Sequence, residues 1–165
     1  MKPTRPVDLT FFESAPLLIH TTLDLPAAPE AVFAALAEPA TWLTWFPLMT
    51  RADWITENTQ AVGAERYVSI RLFGQFSERF IAWDVPNGDA ARFAFMMTAS
   101  TSPLANAIAE DYRLTRTATG TRLDWIFASD MTALGRVMRP VLLLVMRRLF
   151  DRAGRNLARY LQNGS

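Results

Sequence analysis

Four polar residues stand at positions where strand alternation turns side chains toward the protein interior. Arg66 and Glu78 occupy such positions on two neighbouring predicted strands, and Glu110 and Tyr112 share the inward face of a later strand. A buried arginine and a phenol can bind the polar group of a ligand, whereas Glu78 or Glu110 could act as a general base on an acidic C–H bond. Because an unpaired buried charge is costly, a structural ion pair between Arg66 and Glu78 is the favoured alternative.

Other catalytic chemistries have little support in the sequence. There is no cysteine, and the one histidine, His20, falls on the outer face of its predicted strand. A Ser-His-Asp triad would need an inward histidine, and a transition-metal site would need thiolate or imidazole ligands. The seven glycines are scattered and form no phosphate-binding loop. The sequence therefore predicts neither a metal site nor a cofactor.

Alternating strands must position the inward polar residues. The stretch 17–25 alternates with its odd positions inward, and two short helical segments follow at 31–37 and 39–47. Six further strands are predicted at 50–56, 64–73, 75–83, 92–98, 107–115 and 121–129. Short connections between them favour antiparallel pairing. Prolines in residues 1–16 predict an irregular leader, which precedes a single domain at 17–165.

The last predicted element is one long helix from Thr132 to Gln162. Its first half is apolar on every side, whereas its second half has one apolar and one basic face. The first half therefore needs cover on most sides, and the preceding strands are expected to supply it as a curved sheet. Pro140 lies inside the helix and predicts a bend there.

Charge is distributed unevenly along the chain. The helix from Thr132 to Gln162 has seven arginines and one aspartate, a net charge of +6, and the remainder of the chain carries −5. The favoured interpretation is a solvated arginine face that pairs with neighbouring carboxylates. Contact with an anionic membrane is less favoured. Binding to nucleic acid is not expected, because the pI is only about 8.2 and no recognition motif accompanies the arginines.

Composition is that of a globular protein, with 165 residues, 50% hydrophobic and 20% charged. The N-terminal residues lack the uninterrupted apolar run of a secretory signal. The apolar run 141–146 is far shorter than the roughly 20 residues that span a bilayer. A cytoplasmic location is therefore expected.

Four motifs carry a resemblance to a known superfamily: Leu23-Asp-Leu-Pro-Ala-Ala-Pro-Glu-Ala-Val-Phe33, Trp42-Leu-Thr-Trp45, Val62-Gly63 and Gly120-Thr-Arg-Leu-Asp-Trp125. With the order of elements, they make residues 17–162 resemble the START-like (SRPBCC) superfamily, also called the polyketide cyclase/dehydrase and lipid transport group. The resemblance implies an α+β helix-grip fold, in which about seven antiparallel strands wrap a long C-terminal helix. It also implies a cavity between sheet and helix that holds a small apolar molecule. An arginine soon after Val-Gly, followed by a glutamate on the next strand, is similar to Arg66 and Glu78.

Three functions remain open from the sequence. The first is a binding or carrier protein for a lipid, isoprenoid or aromatic polyketide, which the apolar helix and the shortage of catalytic residue types favour. The second is a cofactor-independent cyclase or dehydratase with Glu78 or Glu110 as base. The third is a dimeric interaction module without a ligand, so the chain is expected to be a monomer or a homodimer. The residues predicted to bind the ligand are Arg66, Tyr112, Trp45, Phe80, Met97, Trp125, Val141 and Val145.

Overall fold

A curved antiparallel sheet packs against one side of a long C-terminal helix in the computed structural model, which describes residues 1–163. In chain order the elements are β1 (Lys2–Pro3), α1 (Phe11–Ser14), β2 (Leu17–Leu25), α2 (Pro29–Ala37), α3 (Pro39–Trp45), β3 (Met49–Trp54), β4 (Glu65–Ile70), β5 (Gly74–Asn87), β6 (Ala90–Ser100), β7 (Ala105–Thr117), β8 (Gly120–Met131) and α4 (Ala133–Asn163). The predicted α+β helix-grip architecture is confirmed, including the two short helices after the first long strand.

The main sheet has the strand order β2-β8-β7-β6-β5-β4-β3, and the two-residue β1 pairs with β6. All pairings are antiparallel, as the short connections predict. The observed β2 coincides with the predicted strand 17–25, and β5 to β8 extend a few residues beyond their predicted ends. Register places Arg66 of β4 directly opposite Glu78 of β5. The alternation that made both residues inward candidates is therefore correct.

The leader covers the outer face of the sheet. It contains only the two-residue β1 and the single turn α1, consistent with its prolines. Phe11 and Phe12 of α1 are buried and pack in a small apolar cluster with Ala94, Ala109 and Ala128 on the outer side of β6, β7 and β8. The leader therefore does not reach the apolar first half of α4.

The short helices α2 and α3 close one end of the inner core. Each begins with a proline at its first turn, and the side chain of Glu38 accepts a hydrogen bond from the amide of Ala40 at the start of α3. Trp42 and Trp45 of α3 are buried, and the indole Nε1 of Trp42 donates to the carbonyl oxygen of Leu36 over 2.8 Å. The aromatic turn is thus part of the core.

The expectation that the sheet covers the first half of α4 on most sides is wrong. Every residue from 136 to 141 is exposed, and Val137 is 78% exposed. A single-layer sheet covers only the side of a helix that faces it, and the contacting positions of α4 recur at Gly135, Leu142, Met146 and Leu149. The remaining apolar residues therefore face solvent. The helix continues through Pro140 without a break, and a bend there stays a prediction.

The arginines of α4 also depart from the favoured interpretation. All seven are exposed, and within residues 1–163 none of them forms an ion pair with a carboxylate. Each ion pair among the described residues involves a strand of the sheet, for example Arg79 with Glu65 on the neighbouring strand and Arg116 of β7 with Glu30 of α2. The acidic residues of the body lie away from the basic face of α4.

Candidate functional site

An apolar cavity of about 460 Å³ lies between the inner face of the sheet and α4. Aliphatic, aromatic and methionine side chains make up most of the wall, and its polar side chains are those of Ser102, Glu110 and Ser129. The lining residues are Leu17, Ile19, Phe46, Leu48, Ile70, Leu72, Phe73, Phe76, Met97, Ser102, Pro103, Leu104, Ala105, Ile108, Glu110, Phe127, Ser129, Met131, Leu142, Leu143, Val145, Met146, Leu149 and Phe150. The volume falls within the range of pockets that hold small molecules.

Glu110 is the charged residue of the cavity wall. Its Oε2 accepts a hydrogen bond from the hydroxyl of Tyr112 over 2.6 Å and another from Nε1 of Trp125 over 2.7 Å. Tyr112 is the next inward residue on β7, and Trp125 lies directly opposite Tyr112 on β8. Within residues 1–163, no protein donor contacts Glu110 Oε1. That oxygen is therefore left for a ligand or for water.

Burial raises the pKa of Glu110 to about 7. The hydrogen bonds from Tyr112 and Trp125 and the charge of Arg66 oppose this rise, while the negative charge of Glu78 adds to it. Burial, followed by the nearby Glu110 carboxylate, also raises the pKa of the Tyr112 phenol well above its usual value. Glu110 can thus both hold and release a proton near neutral pH, whereas Tyr112 stays a hydrogen-bond donor.

Arg66 and Glu78 form a buried pair behind the cavity wall. The Nε of Arg66 donates to Glu78 Oε2 over 2.6 Å, and the two side chains are 0% and 4% exposed. The guanidinium lies over the ring of Trp42, with 4.5 Å from Cζ to the ring centroid. Within residues 1–163, its two terminal nitrogens have no hydrogen-bond partner. Burial raises the pKa of Glu78, although Arg66 opposes the shift.

The structure brings three of the predicted site residues to the cavity wall: Met97, Glu110 and Val145. Five others lie in the core behind that wall: Trp45, Arg66, Phe80, Tyr112 and Trp125. Glu78 lies beside Arg66, also outside the lining. Val141 lies outside the cavity, because it is on the solvent side of α4 and 55% exposed.

Much of the wall comes from residues that were not predicted. Ile108, Phe127 and Ser129 share the inward parity of Glu110 and Trp125, so strand alternation alone could have identified them. Leu142 and Leu143, which belong to the apolar run 141–146, lie on the sheet-facing side of α4 and line the cavity. Leu72 shares the inward parity of Arg66 within the predicted strand 64–73, although the observed β4 already ends at Ile70. The segments that supply Leu48 and residues 102–104 have no periodicity, and no pattern in the sequence indicates them.

Other predicted features lie apart from the cavity. His20 is exposed on the outer face, where its Nε2 lies 3.1 Å from Asp124 Oδ1. In the part of the chain that the structure describes, no three His, Asp or Glu side chains cluster as a metal site would require. None of the helices within residues 1–163 combines the length and apolar content that crossing a membrane requires. The cavity is therefore the candidate functional site.

Comparison with known families gives one match over most of the chain. The family model described as polyketide cyclase / dehydrase and lipid transport matches residues 17–162. Uncharacterized proteins of Mycobacterium tuberculosis and Mycobacterium bovis are each 35% identical to this chain over 164 aligned positions, which cover 97% of this chain and 93% of the relative. The names of these relatives state no ligand.

Solved structures show the same fold at low sequence identity. The crystal structure of TTHA0849 from Thermus thermophilus superposes with a TM-score of 0.75 at 13% identity, covering 90% of this chain and 99% of that chain. A START superfamily protein from Mycobacterium smegmatis superposes with a TM-score of 0.73 at 9% identity and the same coverage. At such identities the likeness concerns the fold alone.

Proposed function

The chain belongs to the polyketide cyclase/dehydrase and lipid transport family, and from this premise we propose that it binds and carries a small apolar molecule in the cavity between sheet and α4. The family is compatible with ligand binding in general. Beyond the family assignment, we propose that the ligand is apolar and that the protein carries it. One observation carries it: a cavity of about 460 Å³ whose wall is apolar except for Glu110 and two serines.

Glu110 gives the proposed ligand one polar requirement. As a carboxylate, its uncommitted Oε1 accepts a hydrogen bond, so a hydroxyl or an amine on the ligand would bind there. Tyr112 and Trp125 fix the orientation of the carboxyl group through Oε2. The ligand that fits is therefore largely hydrocarbon, with a single hydrogen-bond donor near Glu110. A uniformly apolar ligand would leave the carboxyl group without a partner and would bind less tightly.

The test is binding of a neutral apolar fluorophore, N-phenyl-1-naphthylamine, which carries one N–H donor. Wild-type protein is expected to enhance its fluorescence with saturation at one probe per chain. Ala105 lines the cavity, so Ala105→Trp should fill part of it and weaken binding at least tenfold. Ala118→Trp makes the same substitution at an exposed turn between β7 and β8, and it should bind as the wild type does.

Two outcomes would overturn the carrier proposal. One is probe binding that Ala105→Trp and Ala118→Trp leave equally intact, with both variants folded by circular dichroism. The other is the absence of saturable binding by the wild type. Native mass spectrometry of the freshly purified protein adds an independent measurement, since a carrier should retain a molecule that disappears in Ala105→Trp.

A second candidate function has one specific observation in its favour, the position of Glu110 in the cavity with a pKa of about 7. A carboxylate of that basicity can remove a proton from the carbon beside a carbonyl group. The C–H electron pair then forms an enolate, and the proton resides on Glu110. In a dehydration, a β-hydroxyl group leaves next, takes up that proton and departs as water. Glu78 suits this role less well, because Arg66 holds it behind the wall.

Proton abstraction can be tested without knowing the natural substrate. The ketone 2-acetylnaphthalene is apolar and exchanges its methyl protons slowly in D₂O. If the enzyme hypothesis is correct, wild-type protein should accelerate deuterium incorporation, as measured by NMR, and Glu110→Gln should abolish the acceleration. The enzyme hypothesis is contradicted if exchange is equally fast with wild type, with Glu110→Gln and without protein, at a probe concentration that occupies the cavity. Only the carrier function would then remain.

A further inference from the structure

The outward-facing side of α4 changes from apolar to basic along its length. Residues at spacings of three and four along this side are Leu134, Val137, Val141, Leu144 and Val145 in the first half, and Arg148, Arg152, Arg155 and Arg159 in the second. All nine are exposed. Exposed apolar side chains in isolation are ordinary, but five on one side of a helix form a continuous surface.

Two exposed leucines on loops of the sheet line the cavity together with the exposed Val145 of α4. Leu48 lies between α3 and β3, Leu72 lies between β4 and β5, and both line the cavity. Leu72 is 89% exposed. Both have a positive φ, +67° for Leu48 and +73° for Leu72, a conformation that is costly for a branched side chain. The amide of Arg71 donates to the carbonyl oxygen of Leu48 over 2.8 Å and joins the two loops.

We name the mouth face as Leu48, Leu72, Val137, Val141, Leu144 and Val145. Val145 connects its two parts, since it lines the cavity and is also exposed. Strained backbone that presents two leucines to solvent, beside an apolar helix side, is a combination that the folding of the monomer does not require. The mouth face is therefore expected to contact a partner outside this chain.

Charge decides which partner fits. Residues 133–148 of α4 contain Arg136, Arg139, Arg147 and Arg148 and no acidic residue, and none of these arginines has an ion-pair partner within residues 1–163. In a twofold-symmetric dimer through the mouth face, the same arginines of both copies would approach one another and repel. An anionic lipid surface offers the opposite charge beside an apolar interior.

We infer that the mouth face docks on an anionic phospholipid bilayer, with its apolar side chains among the acyl chains and the flanking arginines at the phosphates. The cavity entrance then opens against the lipid rather than against water. An apolar molecule can pass between bilayer and cavity without crossing the aqueous phase. The docking surface itself does not depend on what the cavity holds.

The test is co-sedimentation of the full chain with vesicles of phosphatidylcholine alone or with 30% phosphatidylglycerol. Binding to the anionic vesicles is expected to be at least tenfold tighter and to weaken at high salt. Leu72→Ser and Val141→Ser should each weaken it about tenfold, because each removes exposed apolar surface that would be buried in lipid. Arg147→Gln and Arg148→Gln should weaken it about fivefold each.

Matched controls lie at the opposite end of the sheet. Val62 precedes the start of β4, Val85 is near the far end of β5, and Arg122 is near the start of β8; all three are exposed. Val62→Ser, Val85→Ser and Arg122→Gln should therefore leave vesicle binding unchanged. Ala105→Trp should also bind vesicles normally, which separates this inference from the carrier proposal.

Three results would overturn the inference. The first is no binding of wild type to anionic vesicles at millimolar lipid. The second is equal binding by the mouth-face variants and their controls, with all variants folded by circular dichroism. The third is a stable dimer in sedimentation equilibrium that Leu72→Ser and Val141→Ser dissociate and Val62→Ser does not, since a second copy would then cover the mouth face.

Discussion

Arg66 donates its Nε hydrogen to Glu78 Oε2 over 2.6 Å, and both side chains are buried directly opposite each other on β4 and β5. The ring centroids of Trp42, Phe80 and Phe95 lie within 5.4 Å of the guanidinium carbon. The pair is shielded from bulk water, and two guanidinium nitrogens make no hydrogen bond to any of residues 1–163. Such a pair contributes little net stability, but removal of one partner leaves an uncompensated buried charge.

The first prediction is that Glu78→Gln destabilises the fold by about 3 kcal/mol, because Arg66 would keep its charge without a counter-charge. The double variant Arg66→Met with Glu78→Leu should be clearly more stable than Glu78→Gln, since it buries no charge. Urea unfolding followed by tryptophan fluorescence measures both. If the double variant were the less stable of the two, the pair would be a net source of stability.

The sequence correctly predicted the orientation of those site residues whose direction is determined by strand alternation. Alternation on β4, β5 and β7 correctly turned Arg66, Glu78, Glu110 and Tyr112 inward, because one face of the sheet must meet the core. Alternation could not tell which inward residues reach the cavity. Side-chain packing decides that: the rings of Trp42, Phe80 and Phe95 surround the guanidinium of Arg66, which does not line the cavity.

The surroundings of α4 were less predictable. An apolar run such as 141–146 predicts burial within the protein only when the surface that covers it belongs to the same chain. The periodicity of α4 carries no information about how wide the sheet beside it is. Asp111 lies between the inward residues Glu110 and Tyr112 and so on the outer face of β7, yet it is fully buried, because Arg92 and Arg113 cover it.

The second prediction concerns the two arginines that cover Asp111. Arg92 approaches this carboxylate with both Nε and a terminal nitrogen at 2.8 Å, and Arg113 Nε adds a third contact at 2.8 Å. The hydrogen bonds of Arg92 with Asp111 raise the pKa of Arg92, and partial burial opposes this rise. Asp111→Asn should cost about 2 to 3 kcal/mol in urea unfolding, since it removes a fully buried carboxylate and leaves the partly buried Arg92 without its anion.

A matched control for Asp111 exists on the neighbouring strand. Asp124 accepts from Thr22 over 2.8 Å and contacts His20, but it is partly exposed to water. Asp124→Asn is expected to change stability by less than about 1 kcal/mol. If the two substitutions lowered the free energy of unfolding by similar amounts, the burial of Asp111 would not strengthen its ion pairs.

The third prediction concerns the start of α4. A Cβ atom on Gly135 would lie 2.0 Å from the carbonyl oxygen of Leu104, which belongs to the loop that borders the cavity. Backbone cannot yield as a flexible side chain can. Gly135→Ala should therefore destabilise the protein by about 1 to 3 kcal/mol, even though alanine is the better helix former by about 1 kcal/mol.

Gly154 provides the comparison for Gly135 within the same helix. The three atoms nearest to a Cβ at this position all belong to the side chain of Leu23, the closest at 2.6 Å, and that side chain can change rotamer. Gly154→Ala should cost clearly less than Gly135→Ala in thermal unfolding. A reversed order would mean that the loop around Leu104 adapts more easily than Leu23.

The fourth prediction is a pH dependence of stability that originates at Glu110. Its pKa in the folded protein is about 7, against 4.5 for the ordinary carboxyl group. The folded state therefore holds a proton that the unfolded chain releases between these values, and stability falls as pH rises from about 4.5 to about 7. Glu110→Gln keeps an acceptor for Tyr112 and Trp125 but cannot ionise. The free energy of unfolding of the variant minus that of the wild type should therefore be larger at pH 8 than at pH 4, by on the order of 3 kcal/mol. Urea unfolding of both proteins at pH 4, 5, 6, 7 and 8 measures the difference. A difference that stays constant across this series would mean that Glu110 ionises in the folded cavity as it does in water.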